Sequence, residues 1–219
     1  MREAQCAGSG VAVEELAHFA LGVFARQLNS MGWPQVVIWD PHSDVTPALI
    51  DNVISIPRDV LVEDTVRYLR IAASQAELAL VVPDQGAFKA TTSIADKCGI
   101  EVVCMGEKVR DMQTGRITGS YVHNVEHLKN KVVLIADDIC DGGRTFTGLA
   151  EFIRRKVDVT AMILYVTHGI FSQGVSTLLD GHFDEVFTPN PFPQVSTVGL
   201  TRDLFGKTYR YVPAPRIGK

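Results

Sequence analysis

Short apolar runs, rich in β-branched residues, recur along the chain at 35–39, 79–82, 101–105, 132–136 and 160–166. They show little alternation with polar residues, as expected of strands buried on both faces. Between them lie stretches of helical spacing, such as Val62, Val66, Leu69 and Ala73. Strands that alternate with helices in this way form parallel sheets, because each helix provides the crossover to the next strand. The pattern therefore predicts an α/β fold, a doubly wound and mostly parallel sheet. Near the start, Leu16, Phe19, Ala20, Val23 and Phe24 fall on one helical face within residues 11–28, which predicts an amphipathic helix packed on a sheet. At the other end, Pro189, Pro191 and Pro193 break any long element, and Lys207–Tyr211 with Val212 reads as an edge strand before a basic tail ending in Lys219.

Each run ends in a polar or Gly-rich segment. Asp40–Asp44 follow QVVIW, Asp84–Ala87 follow ALVV, Lys108 and Arg110 follow EVVCM, Asp137–Thr145 follow VVLIA, and His168 follows MILYV. In open α/β sheets ligands bind beyond the carboxyl ends of the strands, so these five tips are expected to converge on one functional edge.

The stretch VVLIADDICDGGRT at 132–145 carries the strongest chemistry. Gly142 and Gly143 can adopt backbone angles that a Cβ forbids, so that successive N–H groups curl toward one point and cradle a phosphate. The positive end of a helix starting near Thr145 assists them. Asp137 and Asp138 suit ribose hydroxyls or a hydrated Mg²⁺, which prefers carboxylates together with waters and phosphate oxygens. The polar stretch Gly106–Gly119 holds Lys108 and Arg110 with Asp111, Gln113, Thr114 and Arg116. It reads as a flexible lid that brings cations to a transferring group, with a solvated β-hairpin as the plainer alternative.

Composition narrows the classes. With 219 residues, 46% hydrophobic and 21% charged, the chain can bury a substantial core. A net charge of −4 leaves no basic stripe for nucleic acid, so phosphate must be met locally by Lys108, Arg110 and Arg144. Cys6, Cys98, Cys104 and Cys140 form no CxxC pair, which favours reduced thiols and a cytoplasmic location, with Cys140 acting as a small apolar side chain. Glu14, Glu15, His18 and Arg26 interrupt the most apolar N-terminal stretch, and neither a membrane anchor nor a signal peptide is read there. His123 and His127 lack a third ligand at metal spacing, and a solvated or capping role is expected of them. Gly8 and Gly10 follow no strand, and no Walker-type phosphate loop is present.

DDICDGGRT resembles the phosphoribosyl-pyrophosphate (PRPP) motif of type I phosphoribosyltransferases, in the form carried by ribose-phosphate diphosphokinases. That motif usually reads like DDxIDTGGT, so Gly142 stands where Thr is common and Arg144 where Gly is common. DPHSD at 40–44, VVPDQGAFKA at 81–90, GEKVR at 106–110 and YVTHGIFS at 165–172 resemble further segments of the same family in the same order. The similarity runs from about residue 12 to about residue 190. It implies a phosphoribosyltransferase-like domain at 57–219 and, at 1–56, the helix-plus-strand remnant of a first such domain. The family's adenine-gripping F-x-R-Q-D loop has no counterpart here, so a shortened relative, a fragment, or a protein that borrows the missing part is expected.

The resemblance also implies roles. Asp137, Asp138, Asp141, Gly142, Gly143, Arg144 and Thr145 would bind ribose phosphate, and Asp84, Gln85, Gly86 and Ala87 the diphosphate. Lys108 and Arg110 would be catalytic, and His42, Asp84 and Asp137 would serve Mg²⁺. The expected partners are ATP and ribose 5-phosphate, or PRPP, with neither nucleic acid nor membrane. The expected assembly is a homo-oligomer or an association with a full-length homologue. The leading expectation is an enzyme that makes PRPP and AMP. The alternatives are a phosphoribosyltransferase that uses PRPP and a nitrogenous base, and a non-catalytic subunit associated with a PRPP synthetase.

Overall fold

A computed structural model of the protein describes residues 9–73, 76–110, 117–191, 201–202 and 208–211. The chain divides into two compact units, Met1–Ile56 and Pro57–Lys219.

The first unit contains helix α1 (Ser9–Ser30), strand β1 (Val36–Trp39), helix α2 (Val45–Leu49) and strand β2 (Val53–Ile56). β1 and β2 pair in parallel, from Val36 opposite Val53 to Trp39 opposite Ile56, with α2 as the crossover. Asn29 ties α1 to the following elements. Its Nδ2 donates to Leu49 O at 3.0 Å, and its Oδ1 accepts from the Asp51 N–H at 3.0 Å.

Two expectations are corrected here. β1 belongs to its own two-stranded sheet, so Asp40–Asp44 does not join the other tips on a single sheet edge. The reason is that Val53–Ile56, too short a run to be marked as a strand, supplies β1 with a nearby parallel partner. The apolar face of α1 is not packed either: Phe19 is 68% exposed and Phe24 57%, and Ala20 and Val23 are also exposed, while Ala25 is buried. The packing line of the helix runs through Ala25 rather than through its aromatic residues. The side chain of Leu16 lies outside the described residues.

The second unit begins with helices α3 (Arg58–Leu61) and α4 (Glu63–Ala72), followed by strand β3 (Leu78–Val82), a 3₁₀ turn (Gln85–Ala87) and helix α5 (Phe88–Cys98). Strands β4 (Val102–Arg110) and β5 (Ile117–Val122), a second 3₁₀ turn (Val125–Leu128), strand β6 (Val132–Cys140) and helix α6 (Arg144–Lys156) come next. The described part ends with β7 (Ala161–Gly169), α7 (Ser176–Leu179), β8 (Glu185–Thr188), β9 (Asn190–Pro191), β10 (Thr201–Arg202) and β11 (Thr208–Tyr211).

The sheet order is β10-β11-β8-β7-β6-β3-β4-β5, with β9 also pairing with β7. The central pairs are parallel, whereas β4–β5 and β10–β11 are antiparallel. This is the mostly parallel α/β fold that the hydrophobic pattern predicts. β11 is not the outermost strand, because β10 pairs along its far side.

Both sheet faces are covered. Val133, Ile135, Val81 and Leu164 form one core with Phe146, Leu149, Ala150 and Ile153 of α6, whose apolar residues recur at helical spacing. The alternate residues Leu80, Leu134, Ile163 and Tyr165 are buried as deeply. Arg154, Arg155 and Lys156 in the last turn of α6 suit the negative end of its dipole.

β3 comes first in this sheet yet lies between β4 and β6. The chain therefore leaves β3 toward one side for β4 and later returns to its other side for β6. Such a reversal of strand order opens a crevice at the carboxyl ends of the two central strands.

Candidate sugar-phosphate site

The crevice is bounded by the residues after β3 and by the end of β6. β6 and β7 both run farther than the apolar runs suggest, since their ladder continues through Asp137 opposite Val166, Ile139 opposite His168 and Cys140 opposite Gly169. The acidic pair thus stands on a rigid strand end rather than in a loop.

Gly143 directly precedes α6 in the left-handed region, with φ of 75°. An added Cβ there would lie 2.8 Å from Leu178 Cδ2, so both the backbone and its surroundings require glycine. Gly142 has no such need: the nearest atom to an added Cβ would be Gln173 Cγ at 3.8 Å, and its φ is not positive. The conformational freedom expected of both glycines is used at Gly143. The N-cap residue Gly143 has no side chain with which to cap α6, and the Phe146 and Thr147 N–H groups both donate to Gly143 O at 3.0 Å. The start of this 13-residue helix therefore offers its first amides and its positive dipole end to an anion.

The turn is braced from below. The Ile170 and Phe171 N–H groups donate to Cys140 O at 2.9 and 3.0 Å. Cys140 is buried, and desolvation, followed by the nearby Asp141 and Asp137 charges, pushes its thiol up to about 12. It is a neutral packing residue, as its sequence context suggests. Cys98 and Cys104 are likewise buried and unpaired, and Cys6 lies outside the described residues.

The acidic pair has a cationic partner that sequence reasoning missed. Arg58, the first residue of α3, is 6% exposed. Its Nη1 donates to Asp137 Oδ1 at 3.2 Å and to Ala136 O at 3.3 Å, and its Nη2 lies 3.8 Å from Asp138 Oδ1. Asp137 Oδ1 also accepts from the Asp138 N–H at 2.9 Å, and Asp138 Oδ1 from the Ile139 N–H at 2.8 Å. Burial pushes the Asp137 carboxyl up to about 7; Arg58 opposes this shift and the Asp138 charge adds to it. The local signal for Arg58 was slight: a charge directly after ISIP at the start of a helix.

Across the crevice, Asp84 follows β3 in an extended conformation, and its Oδ1 accepts from the Ala87 N–H at 3.3 Å. One carboxylate oxygen thus caps the turn through Gln85 and Gly86, both exposed, while Ala87 is buried. Asp141 and Arg144 are exposed, and Thr145 is partly buried. On β7, His168 Nδ1 accepts from Asn190 Nδ2 at 3.0 Å.

Lys108 and Arg110 are on the described backbone, but their side chains, like Asp111, Gln113, Thr114 and Arg116, lie outside the described residues. The stretch read as a lid is in its described parts a paired ribbon, with Lys108 opposite Ser120 and Arg110 opposite Ile117. Gly106 permits the close passage at its base, since an added Cβ would lie 2.7 Å from Val82 O. β4 runs parallel to β3, with Met105 opposite Val82, so the ribbon continues past the edge that carries Asp84. His123 Nε2 lies 3.2 Å from Glu107 Oε2.

His42 is exposed and belongs to the first unit, whereas Asp84 and Asp137 belong to the second. Among the described residues, no group of three or more His, Cys, Asp or Glu gathers as a metal site. Nor is any described helix long and apolar enough to cross a membrane.

Residues 61–199 match the family described as the phosphoribosyl transferase domain. The chain is similar to the ribose-phosphate pyrophosphokinase of Mycoplasma genitalium, with 25% identity over 179 residues, 78% of this chain and 51% of that protein. It is also similar to ribose-phosphate pyrophosphokinase 2, chloroplastic, of Oryza sativa subsp. japonica, with 27% identity over 199 residues, 86% of this chain and 48% of that protein. The chain spans about half the length of the curated relatives it matches. Among solved structures, the phosphoribosylpyrophosphate synthetase from Mycobacterium smegmatis matches in fold with a TM-score of 0.64 and 21% identity, over 77% of this chain and 53% of that one.

Proposed function

The chain belongs to the phosphoribosyl transferase domain family, and from that premise we propose that its second unit binds the ribose 5-phosphate moiety in ribose-phosphate diphosphokinase chemistry. The observation that carries this reading is the acidic pair near the end of β6, followed within six residues by the Gly143 turn and the start of α6. The names of the similar proteins support the diphosphokinase form of it.

In this reading the 5-phosphate rests on the amides of the turn and of Arg144 and Thr145, with Asp141 and the Arg144 side chain at its rim. Asp137 and Asp138 accept hydrogen bonds from the ribose hydroxyls. The sugar's O1 then points toward the Asp84–Ala87 turn, where the diphosphate of ATP is held. O1 attacks the β-phosphorus and its proton passes to water. The bond from the β-phosphorus to the oxygen bridging it to the α-phosphorus breaks, and AMP departs with the electron pair. Lys108 and Arg110 act on the growing negative charge, and an interaction that strengthens in the transition state is what accelerates transfer.

The carboxylates of Asp84 and Asp137 are hard oxygen donors of the kind Mg²⁺ prefers, and one or two of them suffice when phosphates and water complete the shell. A Mg²⁺ ion held there would neutralise the diphosphate. We assign the chain to an oligomer, of its own copies or with a full-length homologue, working on soluble substrates in the cytoplasm.

The test is product analysis with ATP, ribose 5-phosphate and Mg²⁺. Formation of AMP and PRPP in equal amounts is the expected result. Pyrophosphate release from PRPP that requires a nitrogenous base would instead identify a base-using phosphoribosyltransferase. Binding of ribose 5-phosphate without turnover would identify a non-catalytic subunit.

A further inference from the structure

We propose that Arg58 is a positioning residue of the sugar site, whose guanidinium hydrogen-bonds one acid of the pair, ion-pairs with the other and thereby orients both carboxylates for the ribose hydroxyls. This rests on the ribose-phosphate reading above and deepens it, adding a residue that the motif does not contain.

Nη1 holds Asp137 Oδ1 at 3.2 Å, and Nη2 faces Asp138 Oδ1 at 3.8 Å. The same two oxygens accept the Asp138 and Ile139 N–H groups. With Oδ1 committed on both residues, each carboxylate loses its freedom to rotate, and the position of its second oxygen is set. The third contact of Arg58, from Nη1 to Ala136 O at 3.3 Å, ties the guanidinium to the backbone of the strand that carries the acids. Adjacent carboxylates repel one another, and a guanidinium fork offers two donors at fixed spacing to hold them side by side. A lysine has the charge without the fork.

The test compares ribose 5-phosphate with 2-deoxyribose 5-phosphate, titrated calorimetrically into the full chain in EDTA without nucleotide. A site built to bond a hydroxyl rejects the sugar that lacks it, so the wild type is expected to favour ribose 5-phosphate by about tenfold or more. In Arg58→Met that preference is expected to fall to about threefold or less, with affinity for the deoxy sugar nearly unchanged because the phosphate turn is intact. Arg58→Lys, which keeps the charge, is expected to give an intermediate ratio, and it serves as the test if the Met variant fails to fold. An unchanged ratio in a folded variant, or equal loss for both sugars, overturns the positioning role and leaves the sugar-phosphate reading standing. A wild type that binds both sugars equally also overturns it. A wild type that binds neither removes the sugar-phosphate reading and this proposal with it.

Discussion

The two units use their apolar residues in opposite ways. In the second unit, Leu80, Leu134, Ile135, Leu164 and Val166 are fully buried, and the sheet is covered on both faces. In the first, Phe19, Phe24, Met31, Trp33, Val37, Val45, Leu49 and Ile54 are exposed, while Ala25, Ile50 and Ile56 are buried. Two strands and two helices cannot enclose a core of their own, because a small unit buries a small fraction of its surface and a two-stranded sheet is marginal in water. The contrast shows where the packing is concentrated. The second unit has the packing that can hold an acidic pair and a left-handed glycine turn in place, and every candidate site residue except His42 lies there.

Mutations can probe that contrast, and the largest effect is expected in the sheet core. Leu134→Ala should destabilise the protein by about 3 kcal/mol, read from the denaturant midpoint, since it leaves a cavity in a fully packed layer. A loss under about 1 kcal/mol would mean that the layer collapses freely and the second unit is less rigid than its packing implies.

Next comes the turn. Gly143→Ala places a methyl 2.8 Å from Leu178 Cδ2 at a φ of 75°, and should cost about 1–3 kcal/mol of stability and weaken ribose 5-phosphate binding by about tenfold or more. Gly142→Ala meets nothing nearer than 3.8 Å and should change either quantity by less than about twofold in equilibrium constant. Equal losses from the two variants, measured by calorimetry and thermal melting, would refute the special status of Gly143.

The effect of proton linkage is read as a slope of stability against pH. Asp137 titrates at about 7 in the folded chain because of burial, while an unfolded Asp titrates near about 3.9. Between those values the folded chain binds the proton more tightly, so this group's contribution to stability falls as pH rises from about 4 to about 7 and levels off above. Asp137→Asn should flatten that part of the stability profile, measured as unfolding midpoint against pH without ligand. An identical slope in the variant would contradict the linkage.

The smallest effect belongs to the first unit. Phe24→Ser, at a position 57% exposed, should alter stability by no more than about 0.5 kcal/mol in the same denaturant titration. A loss comparable to that of Leu134→Ala would erase the difference between the units.

Much of this was legible along the chain. The runs at 79–82, 101–105, 132–136 and 160–166 became β3, β4, β6 and β7, because unbroken apolar runs mark strands covered on both sides. The turn at Gly143 and the carboxylates before it could be named because they lie within nine residues, Asp137–Thr145. β2 and β8 were missed: four-residue strands such as VISI and EVFT carry too little pattern to be distinguished from loops. The ribbon of β4 and β5 reads along the chain chiefly as a lid, because its polar residues look alike whether paired or free.

What the sequence determined alone was local: the alternation of strand and helix, the α/β class, and an acidic pair joined to a glycine turn. Each depends on neighbours a few residues apart, whose spacing is visible in the chain itself. Tertiary structure decided the rest. It set β1 in a separate sheet, turned the aromatic face of α1 outward, and brought Arg58 against Asp137 from 79 residues away. A guanidinium's partner is chosen by which strand ends meet at the reversal of the sheet order, and no spacing along the chain records that meeting.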